Sequence, residues 1–288
     1  MTLLERIGQH RDDLTDSEQA IARHIAMNYA SVAYDSAASI AQKCEVSGAT
    51  ATRFFTKLGY DSFAEVQREV RDEISERLTS PLTRLDSSLG SGATAADVLA
   101  RTLERDLDNL RLAAGGIQSN QLLGMAELLV QCRGTVFIYG EKKAYAIGFY
   151  LYAQLNLCLE RVELLTAEQS LLPDRLLRVG PGDILLVVDM RRYVRVTQQA
   201  AQTFQERGAK VLVLGDSEAS PLAAKADFGI YFPVDGAFLF DSYTALMFAA
   251  NAISNIAAFQ RKAETVARVK EGERLWDRFE IFNPKGAG

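Results

Sequence analysis

The feature that most constrains this chain is a change of hydrophobic period. In its second half, five short runs rich in β-branched and aliphatic residues (Thr135 to Tyr139, Val162 to Leu165, Asp183 to Val188, Lys210 to Leu214 and Phe228 to Phe232) alternate with helix-length segments. Parallel strands need crossovers of a dozen or more residues, so this spacing predicts an α/β domain with a five-stranded parallel sheet and right-handed helical connections. A long amphipathic helix, about Ala95 to Leu112, precedes the first strand, and a last helix, about Asp241 to Lys262, follows the fifth. No internal repeat is visible.

From Leu3 to Leu78 the period is helical instead, with Thr15-Asp16-Ser17-Glu18 as a capping-box pattern and Ser36 as a second cap. This predicts a small all-α unit. The stretch between the two parts, Thr79 to Thr94, is rich in Ser, Gly, Thr and Pro and reads as a linker. At 288 residues the chain is long enough for about two domains, each able to bury a core. Its longest apolar runs, such as Ile184 to Val188, are strand-sized, far from the ~20 residues of a membrane span. The start Met1-Thr2-Leu3-Leu4-Glu5-Arg6 lacks the basic region and apolar run of an export signal, so a cytoplasmic protein without membrane contact is expected. Three scattered cysteines, Cys44, Cys132 and Cys158, suit neither a disulfide framework nor a zinc cluster and read as packed small hydrophobes.

Within the helical unit, Ser36 to Lys43 reads as one helix with Ile40 and Ala41 inward. Cys44-Glu45-Val46 then turns, and Ser47 to Leu58 forms a second helix capped by Ser47. Phe54 and Leu58, four apart, share its core side. The other side carries Ala49, Thr50, Thr52, Arg53 and Lys57, and no carboxylate lies between Ser47 and Gly59. A short front end, hydroxyls and an arginine suit a DNA groove, so Ser47, Ala49, Thr50, Thr52, Arg53 and Lys57 are the candidate DNA contacts. The competing reading is a three-helix packing module with a solvated polar face. Charge cuts against DNA: residues 1–80 hold nine basic and thirteen acidic side chains, a balance of minus four, so any DNA surface is a local patch.

The segments Leu14 to Glu18, Val46 to Phe54 and Leu58 to Glu65 resemble the N-terminal domain of RpiR-family regulators. There the second helix reads DNA, which implies the same role for the residues above. Glu45 departs from the glycine usual at that turn, which requires a left-handed non-glycine residue or a remodelled turn. Gly180 to Asp183, Arg207 to Val211, Ser220 to Leu222 and Ala226-Asp227 resemble the SIS (sugar isomerase) domain that accompanies this helix-turn-helix. The resemblance thus implies a flavodoxin-type strand order, self-association as a homodimer or higher homo-oligomer, and two ligand loops.

Both loops diverge. Where the family reads Gly-x-Gly-x-Ser, this chain reads Gly140-Glu141-Lys142-Lys143-Ala144; where it reads Ser-x-Ser-Gly-x-Thr, here stands Asp189-Met190-Arg191-Arg192-Tyr193-Val194. The phosphate-cradling hydroxyls are gone. With the family's strand order the two loops flank the topological switch point, bringing Lys142, Lys143, Arg191 and Arg192 together with Tyr193 nearby. Charged forks and ammonium groups bind carboxylates or phosphates, so a small anionic metabolite is expected, a carboxylate more than a sugar phosphate. Gly140, Glu141, Lys142, Lys143, Asp189, Arg191, Arg192 and Tyr193 are the candidate ligand residues, with Glu141 and Asp189 orienting the cations or meeting a ligand amine or hydroxyl.

The domains expected are therefore 1–78, helix-turn-helix; 79–94, linker; 95–265, SIS-like sensing and dimerisation; and 266–288, a polar tail holding Trp276. The function expected is a DNA-binding regulator, read as a repressor, whose paired helix-turn-helix units grip a double-stranded operator and respond to the anion. No catalytic residue, metal or cofactor is assigned. Two alternatives stand beside it: a phosphosugar isomerase-type enzyme, and a regulator whose pocket is vestigial and whose α/β half only oligomerises.

Overall fold

The computed structural model describes residues 2–33, 35–78, 92–165 and 170–282. Its N-terminal helices are α1 (Leu3–Gln9), α2 (Asp16–Met27), α3 (Tyr29–Val32), α4 (Ala37–Lys43), α5 (Gly48–Lys57) and α6 (Phe63–Leu78). Capping chemistry sets their starts. Thr15 and Glu18 form the reciprocal box, and Ser36 and Ser47 each accept a hydrogen bond from the backbone N–H three residues on. Between α4 and α5, Glu45 adopts φ 56 and the Val46 N–H reaches the Ala41 carbonyl at 2.9 Å, so the turn keeps its left-handed residue without glycine. Ile21, Ile25, Ile40, Ala41, Ala51, Phe54, Leu58 and Val66 close one buried core. Phe55 joins them, its ring 5.2 Å from Phe54 and 4.9 Å from Phe63, because α6 covers that side of α5 too.

The second part consists of α7 (Ala95–Ala113), α8 (Gly116–Val130), β1 (Val136–Gly140), α9 (Ala144–Leu155), β2 (Val162–Leu164), α10 (Leu172–Leu176), β3 (Ile184–Asp189), α11 (Arg195–Glu206), β4 (Lys210–Gly215), β5 (Phe228–Tyr231), α12 (Thr244–Gln260) and α13 (Lys262–Arg278). The five strands are parallel in the order β2-β1-β3-β4-β5, the flavodoxin-type order expected. Alternation along each strand feeds two cores. Val136, Ile138, Leu186, Val188, Leu212 and Leu214 face α8, α9 and α12, whereas Phe137, Tyr139, Leu185, Val187, Val211 and Val213 face α10 and α11. Among the described residues no helix is long and apolar enough to cross a membrane.

One expectation changes, and one expected helix places its apolar side unexpectedly. The segment after Lys262, read as a polar tail, is helical to Arg278: none of its residues is buried, so it lacks a core-facing stripe, and i,i+3 pairs such as Arg261–Glu264 and Arg274–Glu271 run along it. The apolar stripe of α7 faces outward at Leu99 (73% exposed) and Leu103 (62%), while Ala113 near its end joins the core. Most of the expected linker, residues 79–91, lies outside the described residues. The three cysteines are unbridged, with Cys158 buried and the other two half-buried.

Candidate functional site

The polar face of α5 is built on a rigid base. Ser47 caps the helix with its Oγ 3.1 Å from the Thr50 N–H, and Thr52 returns its hydroxyl to the Gly48 carbonyl at 3.0 Å. Ser47, Ala49, Thr52 and Arg53 are exposed and Thr50 is half-buried, so these five share an accessible surface at and after the helix start. That end concentrates unpaired N–H groups and the positive pole of the helix dipole, which favours a phosphate. Lys57 differs. Its Nζ lies 3.0 Å from Glu18 Oε2 and also reaches the Asp13 carbonyl, so its charge ties α5 to α2. Burial alone would raise the Glu18 carboxyl, but hydrogen bonds from the Thr15 backbone and Lys57 bring it below the ordinary carboxylate range.

In the α/β part, Gly140 ends β1 beside Val188, and Asp189 ends β3 beside Gly215. Those ends flank the switch point of the sheet, and a cleft opens there, as expected of an open parallel sheet. It is lined by Glu141, Lys142, Lys143, Asp189, Arg191 and Arg192, and also by Ala144, Thr197, Asp241 and Tyr243. Six of the eight residues expected from sequence therefore meet. Gly140 sits behind them as backbone: a Cβ there would lie 2.8 Å from the Ala144 carbonyl oxygen, so only glycine lets the start of α9 approach β1 this closely. Tyr193 is not among the residues that line the cleft; it donates its hydroxyl to Asp216 at 3.2 Å.

The cations are not equivalent. Lys142 holds the left-handed conformation, φ 54, at the position where the Gly-x-Gly pattern has its second glycine. Lys142, Lys143 and Arg192 are exposed, and Lys143 lies 5.2 Å over the Phe240 ring. Arg191 is largely buried. Its Nη2 lies 2.8 Å from Asp241 and 3.3 Å from Asp235, and its Nε donates to Asp241 at 3.0 Å. The acids that orient it are thus Asp241 and Asp235, brought in from the β5–α12 loop, and not Glu141 and Asp189. Glu141 accepts from the Tyr139 hydroxyl at 2.6 Å, and Asp189 from Ser220 at 2.6 Å. Burial, with Asp216 nearby, pushes the Asp189 carboxyl up to about 7 despite the Ser220 hydrogen bond. Asp241, Tyr243 and Thr197 escaped the sequence reading because they join the cleft from other elements. Only the Asp-Ser-Tyr-Thr run before α12 hinted at them, as a polar helix start.

Residues 1–77 match the helix-turn-helix domain of the rpiR family, and residues 128–255 match the SIS domain. An uncharacterized HTH-type transcriptional regulator of Clostridium perfringens is 18% identical over 81% of this chain and 82% of its own length. The bifunctional protein glk of Burkholderia orbicola is 24% identical over 78% of this chain, which spans only 34% of that protein. Among solved structures, the sugar isomerase domain of an RpiR transcription factor from Sphaerobacter thermophilus superposes with TM-score 0.58 at 25% identity, covering 62% of this chain and 99% of that one. The Vibrio vulnificus NanR protein, complexed with ManNAc-6P, shares the fold over 96% of this chain and 99% of its own, with TM-score 0.53 and 16% identity. With the helix-turn-helix and the SIS domain matched in the order that the strands and helices display, the chain belongs to the RpiR family of transcriptional regulators.

Proposed function

We propose that this regulator binds a small anion in the cleft at the ends of β1 and β3, and that occupancy sets its affinity for a double-stranded operator. One observation carries the reading: Lys142, Lys143 and Arg192 stand exposed at the cleft, unpaired with any carboxylate among the described residues, while its acids are already engaged. Glu141 holds Tyr139, Asp189 holds Ser220 and Asp241 holds Arg191, which leaves a surplus of positive charge beside the N-terminus of α9. Ala144 supplies no hydroxyl where the family's phosphate cradle has serine, so the ligand is a carboxylate before it is a sugar phosphate. The phosphosugar bound by the Vibrio vulnificus NanR protein has the same sign of charge and is the second class to try.

The DNA contacts are Ser47, Ala49, Thr50, Thr52 and Arg53 on α5, with Lys57 seating the helix. Two copies of the chain present two such helices to a twofold operator, and the outcome is repression. The outward Leu99, Leu103 and Leu107 of α7 support pairing of copies, since isolated chains seldom leave such a stripe open to water. The chain works in the cytoplasm, where its operator is, and acts by binding rather than turnover.

A thermal-shift screen of the full chain against hydroxy- and amino-carboxylates, phosphosugars and inorganic phosphate tests the pocket. A ligand at a hundred times its Kd stabilises by about 2.7 kcal/mol, so a binder raises Tm by several degrees. The rise should be lost in Lys142→Ala with Arg192→Ala. Silence across all three classes overturns the reading in favour of an oligomerising domain, and measurable phosphosugar isomerisation overturns it in favour of an enzyme.

A further inference from the structure

Between β5 and α12 the chain runs without regular structure over residues 232–243. It folds back on itself: the Ser242 N–H meets the Val234 carbonyl at 2.9 Å, and at Gly236 a Cβ would run into the Phe240 carbonyl. This strap is fastened on two sides. Toward the cleft, Arg191 grips Asp241 and Asp235. Toward α7, Asn109, only 3% exposed, donates to the Asp235 carbonyl at 3.0 Å, while Asp106 accepts from the Thr244 hydroxyl at 2.9 Å and from Ser242. Among the described residues α7 is the first helix of the second part, so one loop connects the cleft to the described element nearest in sequence to the helix-turn-helix.

We propose that this strap carries pocket occupancy to α7, with Asp106 and Asn109 as its positioning residues; the proposal rests on the anion reading of the cleft. The two acids on Arg191 are unequal. Asp241 is 9% exposed and accepts both Nε and Nη2, whereas Asp235 is 69% exposed and meets Nη2 alone at 3.3 Å. An anion entering the cleft competes for that guanidinium and displaces the hydrated, singly bonded partner first. Asp235 is also the residue whose carbonyl Asn109 holds, so its release acts directly on α7. Coupling requires two arrangements with different ligand contacts, and the Arg191–Asp235 contact, made or broken, distinguishes them. The remaining fastenings, Asp241 on one side and Asp106 on the other, keep the strap attached while it shifts.

Hydrogen exchange of the full chain, with inorganic phosphate or with sodium chloride at matched ionic strength, tests this. In the wild type, phosphate should slow exchange at residues 140–144 and change it at least about fivefold across residues 104–112, the lower end of ordinary allosteric coupling. In Asn109→Ala the first response should remain and the second should vanish, because the Asp235 carbonyl loses its hold on α7. Asn109→Leu removes the same donor at nearly constant volume and serves if Asn109→Ala does not fold. A purely structural role for Asn109 would alter basal exchange but not the phosphate-dependent difference. Protection at 140–144 with no change at 104–112 in the wild type overturns the relay and leaves the anion reading standing, as does an α7 response retained in the variants. No protection at 140–144, with phosphate or with citrate in its place at the same ionic strength, overturns both.

Discussion

Glu45 and Lys142 hold the same kind of place in two different domains. Each is a non-glycine residue in the left-handed region, φ 56 and φ 54, and each stands where the family pattern has glycine. The backbone geometry survives both replacements, but the side chains have opposite consequences. Glu45 sets an exposed carboxylate beside α5, the helix proposed to read DNA, which carries none of its own, and Lys142 adds a cation to the rim of the cleft proposed to hold the anion. A turn therefore tolerates the loss of its glycine at about 1–2 kcal/mol, and what is gained or lost is charge. The two domains also hold their charges differently. On α5 the helical period sets most of the outward side chains, with Lys57 tied to Glu18 of α2, whereas in the cleft a loop distant in sequence decides which cation is spent.

The strongest way to break this contrast is to remove the packing beneath α5. Phe54 is fully buried, so Phe54→Ala should cost about 3–5 kcal/mol, abolish operator binding and leave the response of residues 140–144 to phosphate intact. Calorimetry of the full chain checks it. A loss confined to the surface range, within ~0.5 kcal/mol, would mean that α5 is not held by this core.

Asp189 gives the matching test in the SIS domain. Burial raises its carboxyl to about 7, so the folded protein binds a proton there that the unfolded chain has already released. Stability should be full below the ordinary aspartate value near 4 and fall as pH rises through about 7, by up to about 4 kcal/mol. Glu218, raised to about 7 by burial, has the same sign. In Asp189→Asn the decline between pH 4 and 7 should shrink, leaving the Glu218 share, and Tm at pH 8 should exceed that of the wild type. An unchanged pH profile would place the titration elsewhere.

Next in size is a reciprocal pair. Arg53→Ala should weaken operator binding by about 1–3 kcal/mol without altering anion affinity. Arg192→Ala should weaken anion binding about tenfold, or ~1.4 kcal/mol, and leave ligand-free operator affinity as it was. Fluorescence anisotropy with a selected duplex and calorimetric titration with phosphate read the two effects. Arg191→Ala should behave unlike its neighbour, since it strips the cation from the nearly buried Asp241 and so lowers stability as well. Equal effects of Arg191 and Arg192 on anion binding alone would erase the distinction between a spent and an available cation.

That distinction also marks where sequence stopped being informative. Helix starts at Thr15, Ser36 and Ser47, the five strands, and the burial of Phe54 and Leu58 are set by local chemistry and period, and were legible. The strand order and the six cleft residues were legible only through the family resemblance, which supplied the order and the two loops whose strand ends converge. Asp241, Asp235, Tyr243 and Thr197 were not, since nothing near Arg191 in sequence announces that its partners lie 44 and 50 residues away. Lys57 shows the same limit: its place on α5 was legible, but its ion pair with Glu18 of α2 was not. α13 was missed because it is helical through charge pairs rather than through an apolar stripe.

The smallest effect returns to the two left-handed residues. Glycine relieves the left-handed cost of about 1–2 kcal/mol but brings back roughly 0.5–1 kcal/mol of chain entropy, so Glu45→Gly and Lys142→Gly should each stabilise by about 0.5–1 kcal/mol. Urea unfolding at equal slope would show the two gains to be alike. Their functional effects should separate: Glu45→Gly tightens operator binding by removing a carboxylate near the phosphates, and Lys142→Gly loosens anion binding by removing a cation from the cleft. If Lys142→Gly binds phosphate as tightly as the wild type, the attraction comes from the cleft's other cations, and the glycine position of that loop was vacated for a reason other than the ligand.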